Sequence, residues 1–151
     1  MVFHFKVALI YFGKEDFDRM IDHLNEIINL EMGQLREDIQ CYSRLLLLIG
    51  HYELGNFDLL DYQVQNVYRF LDKMKELNIV QMETLNFLKR IIKFRDIKQK
   101  DAFVDFKQKL EKISQDPFAR RALLYFDILP WLESKITKRS IKSILKKSYK
   151  K

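Results

Sequence analysis

The sequence contains three histidines and one cysteine, residue types that often bind metals or act as nucleophiles. His4, His23 and His51 do not form the His-Glu-x-x-His or Glu-x-x-His patterns of zinc peptidases and di-iron bundles. His51 and Glu53 match the His-x-Glu element of zinc deaminases, but that chemistry also requires a Cys-x-x-Cys pair. Cys41 is the only cysteine and lies in an apolar stretch, which favours a packing role. The sequence therefore predicts no catalytic residue, no metal site and no cofactor.

A row of acidic residues is a second place where chemistry could occur. Asp18, Asp22 and Glu26 are spaced by four and share one face of a predicted helix. A metal site or an acid–base pair would need these carboxylates to be desolvated and to converge, so we expect a solvated face instead. The chain also lacks a glycine-rich phosphate loop and a nucleophile elbow. Residues that are distant in the sequence could still converge in the fold, and this alternative stays open.

Two arginines lie in apolar or aromatic surroundings. Arg44 interrupts an apolar helix, and Arg69 stands between two aromatic residues. A buried arginine needs a carboxylate partner or an anionic ligand. We favour a structural ion pair of Arg44 with Glu53 or with a neighbouring acid. The alternative is a partner-binding groove to which Arg44, His51 and Arg69 contribute.

Three segments that follow a helix-capping residue have apolar residues at steps of three and four, the pattern of a one-sided amphipathic helix. The capping residues are Asp16, Asn56 and Asp101. Broader apolar segments at about 2–12, 36–53 and 79–95 alternate with these helices and are expected to be contacted on several sides.

Further capping signals mark two more helix starts. Asn78 and Gln81 form a variant of the capping box, and Asp116 followed by Pro117 opens a later helix. That helix is expected to end or kink at Pro130. Its predicted buried stripe consists of Phe118, Ala122, Leu123, Phe126 and Leu129.

The alternation of broad and amphipathic helices indicates a repeat. The second amphipathic helix starts 40 residues after the first, at Phe57 after Phe17, and the third 46 later at Phe103. Only four glycines and two prolines are present, which disfavours an all-β fold with its many tight turns. The sequence predicts an all-α fold of antiparallel helix pairs, stacked as a short right-handed α-solenoid of about seven to eight helices. A non-repetitive helical bundle is the alternative.

The turns between paired helices resemble those of tetratricopeptide repeats. Residues 54–58 read Leu-Gly-Asn-Phe-Asp, and residues 15–18 read Glu-Asp-Phe-Asp, the same turn without the glycine. Ala8 and Tyr11 lie where that family has a small residue and an aromatic one. The second helices carry bulkier residues than the family does, and the spacing exceeds the usual 34 residues. The resemblance covers about half the chain and implies a divergent, TPR-like array with a concave surface that binds peptides or proteins. Residues 51–60 also resemble the helical C-terminal regions of uncharacterised bacterial proteins, and that likeness supplies no activity.

Positive charge is concentrated in the C-terminal tail. Residues 135–151 carry seven lysines, one arginine and no acid, so subtracting this +8 from the net +6 leaves −2 on residues 1–134. The tail has an apolar face and a basic face at helical spacing, which favours a capping helix on the last pair. A basic amphipathic helix that meets nucleic acid, an acidic membrane or a partner is the alternative. The basic tail residues are Lys138, Arg139, Lys142, Lys146 and Lys147.

These patterns divide the chain into a helical repeat domain, residues 1–134, and a basic tail, 135–151. The pairs are expected at about 1–30, 36–75 and 79–115, followed by a helix at 117–134. The apolar N-terminus is too short to span a bilayer and has no cleavage site, so we expect a core helix that further repeats or a second copy would cover. We expect a non-catalytic protein-interaction or scaffolding module of cytoplasmic location that forms the C-terminal part of a larger repeat protein. Nucleic-acid binding through the tail is the alternative.

Overall fold

The computed structural model describes residues 1–30, 36–74, 78–93 and 99–149, and within these ranges it contains helices and no strand. The helices are α1 (Val2–Gly13), α2 (Phe17–Ile28), α3 (Glu37–Glu53), α4 (Phe57–Lys73), α5 (Ile79–Lys93), α6 (Gln99–Ile113), α7 (Pro117–Tyr125), α8 (Leu129–Thr137) and α9 (Ile141–Tyr149). The predicted all-α class is confirmed. The described ranges hold nine helices rather than seven to eight. Residues 75, 94, 95, 150 and 151, at the ends of predicted segments, lie outside them.

Neighbouring helices pack in pairs. Each helix from α1 to α5 contacts the next, and α3 also contacts α1 and α5. Of the predicted apolar stripe of α2, Met20, Ile21, Leu24 and Ile27 are buried and Phe17 and Ile28 are half-buried. The run 45–49 at the centre of α3 is buried apart from a half-buried Leu47. Gly50 allows α2 and α3 to approach closely, because a Cβ there would lie 2.7 Å from the Cε of Met20. The right-handed solenoid remains a prediction.

The two TPR-like turns have the same backbone structure. At the end of α1 the N–H of Asp16 donates to the carbonyl of Tyr11 at 2.9 Å, and Glu15 has φ of 59°. At the end of α3 the N–H of Asn56 donates to the carbonyl of His51 at 2.9 Å, and Gly55 has φ of 78°. Both are Schellman motifs, which place one residue in the left-handed region.

Most of the predicted helix starts agree with the structure. The side chains of Asp16 and Asp116 accept hydrogen bonds from the first turns of α2 and α7. Asn78 and Gln81 make both bonds of the capping box, at 2.9 and 3.1 Å. Asp101 was expected to be a cap but lies inside α6, which begins two residues earlier at Gln99. The amide of Gln99 bonds the Tyr52 hydroxyl and the Ile91 carbonyl, which fixes this earlier start.

The helix expected at 117–134 consists of α7 and α8, separated by residues 126–128. Phe126 is extended, and the carboxylate of Asp127 accepts a hydrogen bond from the N–H of Leu129 at the start of α8. Pro130 therefore lies in the first turn of α8, where its missing N–H costs no helical hydrogen bond. Phe118 was expected to be buried but is 77% exposed, whereas Ala119, one residue on, is buried.

Helix α8 packs against α6 and reaches α3 and α5 through a fully buried tryptophan. The Trp131 ring lies 5.4 Å from Phe103, 6.2 Å from Tyr52 and 6.4 Å from Phe87, measured between centroids. Its Nε1 donates to the Glu53 carboxylate at 2.7 Å. Lys135 pairs with the same carboxylate at 3.0 Å. The faces that Tyr52 and Phe87 present are thus covered by the chain's own C-terminal region.

Candidate docking groove

An open cavity of about 820 Å³ lies between α1, α7, α8 and α9, and we call it the docking groove. Eleven of its fifteen lining residues are apolar or glycine: Leu9, Phe12, Gly13, Leu123, Leu124, Phe126, Leu129, Pro130, Ile141, Ile144 and Leu145. The packing of Phe126 edge-on against Phe12, with centroids 5.1 Å apart, fixes the segment between α7 and α8 against α1. Ile141 and Ile144 are buried and hold α9 in place. The groove is therefore formed by parts of the chain that are distant in sequence.

Four charged side chains also line the docking groove: Asp127, Glu133, Arg139 and Lys147. All but Glu133 are exposed, which places charges of both signs in contact with solvent at its opening. Arg139 donates to the Ser143 hydroxyl at 3.1 Å, across one turn at the start of α9. An apolar interior with a mixed charged border is the usual composition of a protein-docking surface.

The basic tail residues divide into two groups. Arg139 and Lys147 line the docking groove, whereas Lys138, Lys142 and Lys146 are exposed and do not line it. Ile141 and Ile144, which also line the docking groove, are buried, and α9 packs against α8. This arrangement is that of a terminal helix with its apolar face inward and its lysines outward.

Several large apolar side chains of α1 and α7 are exposed. Leu124 is 82% exposed and Phe118 is 77% exposed, both on α7. On α1, Phe3 is 68% exposed and Ile10 is 58% exposed, and their spacing of seven places them on one face. A group of exposed apolar residues marks a binding surface more often than a single exposed apolar residue does.

A second, smaller cavity of about 140 Å³ lies between α5 and α6, beside Phe87 and Phe106. Charged residues from the two helices meet across it. Lys109 pairs with Glu83 at 2.8 Å, and Arg90 lies 3.9 Å from Asp105. Because these charges are matched within the chain, the cavity presents no excess charge to a ligand.

The sequence favoured an ion pair between Arg44 and Glu53, but the two side chains are not paired in the structure. Glu53 instead binds Trp131 and Lys135, and no carboxylate of the described residues lies within ion-pair distance of Arg44. The Arg44 guanidinium lies 3.6 Å from the centroid of the Phe70 ring and donates to the backbone and side-chain oxygens of Gln40. Burial lowers the pKa of Arg44. A cation–π contact and amide oxygens therefore replace the expected ion pair.

The other two predicted groove residues are separate from Arg44. His51 is half-buried, two turns further along α3, and its Nδ1 lies 3.1 Å from the side-chain nitrogen of Asn56. Burial lowers the pKa of His51. Arg69 is exposed on α4. Neither of the two cavities described above is lined by these residues, and their role in binding remains a prediction.

Two histidines that no sequence motif connects meet between α1 and α2. The Nδ1 atoms of His4 and His23 lie 3.1 Å apart, and both side chains are half-buried. Their separation of 19 residues matches no metal-binding spacing, so only the packing of the two helices reveals the pair. Among the described residues, no three or more His, Cys, Asp or Glu side chains are grouped so as to hold a metal ion.

Comparison with protein-family models, curated proteins and solved structures found no match to this chain. The tetratricopeptide-like resemblance therefore depends on the turn residues themselves. Within the described ranges, every helix is too short or too polar to cross a bilayer.

Proposed function

We propose that this chain is a non-catalytic protein-interaction module that binds a partner in the docking groove. The observation that carries the proposal is an open apolar groove of about 820 Å³ with the 82% exposed Leu124 on its lining. An amphipathic helix of a partner protein suits this surface, because its apolar stripe would cover the interior and its polar flanks would meet charges of both signs.

The position of α8 favours partner binding in the docking groove rather than on the concave surface that the tetratricopeptide-like resemblance implies. If that concave surface lay on α3 and α5, a peptide would bind there. Trp131 covers Tyr52 and Phe87 on those helices and is itself fully buried. A partner on that face would have to displace a buried tryptophan and its bond to Glu53. The docking groove requires no such displacement.

Site-specific photo-crosslinking in cells that express the protein tests this proposal. A crosslinking residue at position 124 is expected to capture a discrete partner, whereas one at Tyr62 on α4 is not. Tyr62 is a matched control because it is 65% exposed and apolar but does not line the groove. The adduct at 124 should disappear when Leu145 in the groove is replaced by glutamate. Equal capture at both positions, or none at 124, would refute the proposal.

A second candidate function is nucleic-acid binding by the basic tail. The observation in its favour is that Lys138, Lys142 and Lys146 are exposed and make no ion pair within the described part of the chain. Each phosphate contact contributes about 0.7–0.9 to the salt dependence of log affinity. Replacing all three lysines by glutamine should therefore reduce that slope by about 2–3. Substitution is preferable to truncation, because Ile141 and Ile144 of the same helix are buried. An unchanged slope would exclude the tail as the contact.

The exposed face of α1 supports the proposal that further repeats or a second copy cover this helix. Phe3 and Ile10 lie on that face. If a second copy covers it, sedimentation equilibrium should show a dimer that Phe3→Lys dissociates. A monomer at all concentrations would exclude a second copy as the covering element.

A further inference from the structure

The contact between His4 and His23 joins α1 to α2 at positions outside the apolar stripe of α2. The imidazole centroids are 5.3 Å apart, and the two Nδ1 atoms face each other at 3.1 Å. Aromatic neighbours restrict both rings. Phe3 lies edge-on to His4 at 5.4 Å, and Tyr11 stacks on His23 at 5.6 Å. Two imidazole nitrogens are therefore close together, and each imidazole has an aromatic ring beside it.

This spacing is close to that of two ligands on one tetrahedral metal ion. Zinc–nitrogen bonds of about 2.0–2.1 Å at a tetrahedral angle place the two nitrogens roughly 3.3 Å apart. The N–N distance would have to increase by only about 0.2 Å, and the rings would have to turn so that both lone pairs point at the ion. Both side chains are half-exposed, so water can reach the ion and complete its coordination. Without metal, one Nδ1–H donates to the other Nδ1.

We propose that His4 and His23 form a two-histidine binding site for a divalent transition-metal ion, Zn²⁺, that bridges α1 and α2. Imidazole nitrogen suits Zn²⁺ as well as Cu²⁺ and Ni²⁺, whereas Mg²⁺ and Ca²⁺ require oxygen ligands. Two protein ligands give a labile site rather than a four-ligand structural one. The site lies outside the docking groove, so the proposal is independent of the proposed function.

The electrostatic surroundings of the pair are mixed. On α2, Asp22 and Glu26 flank His23 in the sequence and are exposed, which adds negative potential near the site. Arg19 lies 5.9 Å from the Tyr11 ring, but its charge is partly offset by Asp16 at 3.6 Å. The charges near the two histidines therefore do not oppose the binding of a divalent cation.

Calorimetric titration of ZnCl₂ into the full-length, untagged chain tests the site. One Zn²⁺ per chain is expected for the wild type and for His51→Gln, and none for His4→Gln or His23→Gln. His51 is the matched control because it is half-buried and bonds through Nδ1 but has no second histidine beside it. Zn²⁺ should also raise the midpoint of thermal unfolding in the first two proteins only, since a ligand that binds the folded state stabilises it.

Nitrogen NMR of the imidazoles gives a readout that does not depend on the stability of the variants. In the wild type, Zn²⁺ should shift the Nδ1 resonances of His4 and His23 together and leave those of His51 unchanged. Mg²⁺ should shift none of them. If Zn²⁺ leaves both resonances as in the metal-free pair, or if His4→Gln binds Zn²⁺ as the wild type does, the histidines form only a hydrogen bond and the proposal is wrong.

Discussion

Replacement of Trp131 by alanine is expected to destabilise the fold by about 3–5 kcal/mol, the usual cost of truncating a large buried aromatic side chain. Trp131 is fully buried and contacts rings from α3, α5 and α6, so its removal leaves a cavity that no single helix can close. The same change leaves Glu53 with Lys135 as its remaining partner. Its carboxylate is therefore not left unpaired, and no further penalty of that kind is added.

Trp131→Phe separates packing from hydrogen bonding. Phenylalanine retains an aromatic ring but removes the Nε1–H that donates to Glu53 at 2.7 Å. A hydrogen bond to a charged group contributes about 1.5–3 kcal/mol, and because Lys135 still binds Glu53 we expect a loss near the lower end. When Glu53 is replaced by glutamine, the stability lost through Trp131→Phe should be smaller, because a neutral amide is a weaker acceptor than a carboxylate.

Urea unfolding followed by far-ultraviolet circular dichroism measures these losses through the transition midpoint. Leu124→Ala is the control, because that leucine is 82% exposed and its truncation should change stability by less than about 0.5 kcal/mol. Trp131 is the only tryptophan, so its fluorescence reports the docking of α8 directly. A Trp131→Ala midpoint equal to that of Leu124→Ala would refute the assigned role of α8.

Three further predictions use the same unfolding assay. Gln40→Ala should cost about 1–3 kcal/mol, because its buried amide donates to the Ile27 carbonyl at 2.7 Å and accepts from Arg44. Glu15→Gly should stabilise the chain by roughly 1 kcal/mol and Gly55→Ala should destabilise it by a similar amount, since both positions have a left-handed backbone. The pKa of His51 is lowered by burial, so the unfolded chain binds its proton at higher pH than the folded one. The contribution of His51 to stability is present above its ordinary pKa and is lost as the pH falls through the lowered value. The variant His51→Gln should therefore flatten the acid side of the curve of stability against pH.

Each of these predictions has a contrary outcome. A Gln40→Ala loss no larger than that of the exposed Gln65→Ala would show that the buried amide contributes nothing. Changes of the same sign for Glu15→Gly and Gly55→Ala would contradict the equivalence of the two turns. If His51→Gln leaves the acid slope unchanged, the titration of His51 is not coupled to folding.

Local sequence signals predicted the helices well where the relevant contacts are local. The capping bonds of Asp16, Asp116 and the Asn78–Gln81 box form within one helical turn, so residue type and spacing are sufficient to predict them. The equivalence of the turns at Glu15 and Gly55 was predictable for the same reason, even though only one of them has glycine.

Long-range contacts were not predictable in this way. Glu53 was expected near Arg44, nine residues away on the same helix, but it binds Trp131, which is 78 residues away. The His4–His23 pair depends on how α1 and α2 pack rather than on a motif. The docking groove likewise joins α1 to the last three helices. One amphipathic stripe shows that a helix has a buried side, but it does not show which distant segment covers that side.

The docking of Trp131 also has a consequence for synthesis on the ribosome. Chains emerge at about 5–20 residues per second, so the 78 residues between Glu53 and Trp131 take roughly 4–16 s to follow. During that interval α3 has been made, but the contact of the Tyr52 ring with Trp131 has not yet formed. The early helix pairs can form as they emerge, but this aromatic surface is exposed to chaperones and to neighbouring nascent chains until α8 arrives.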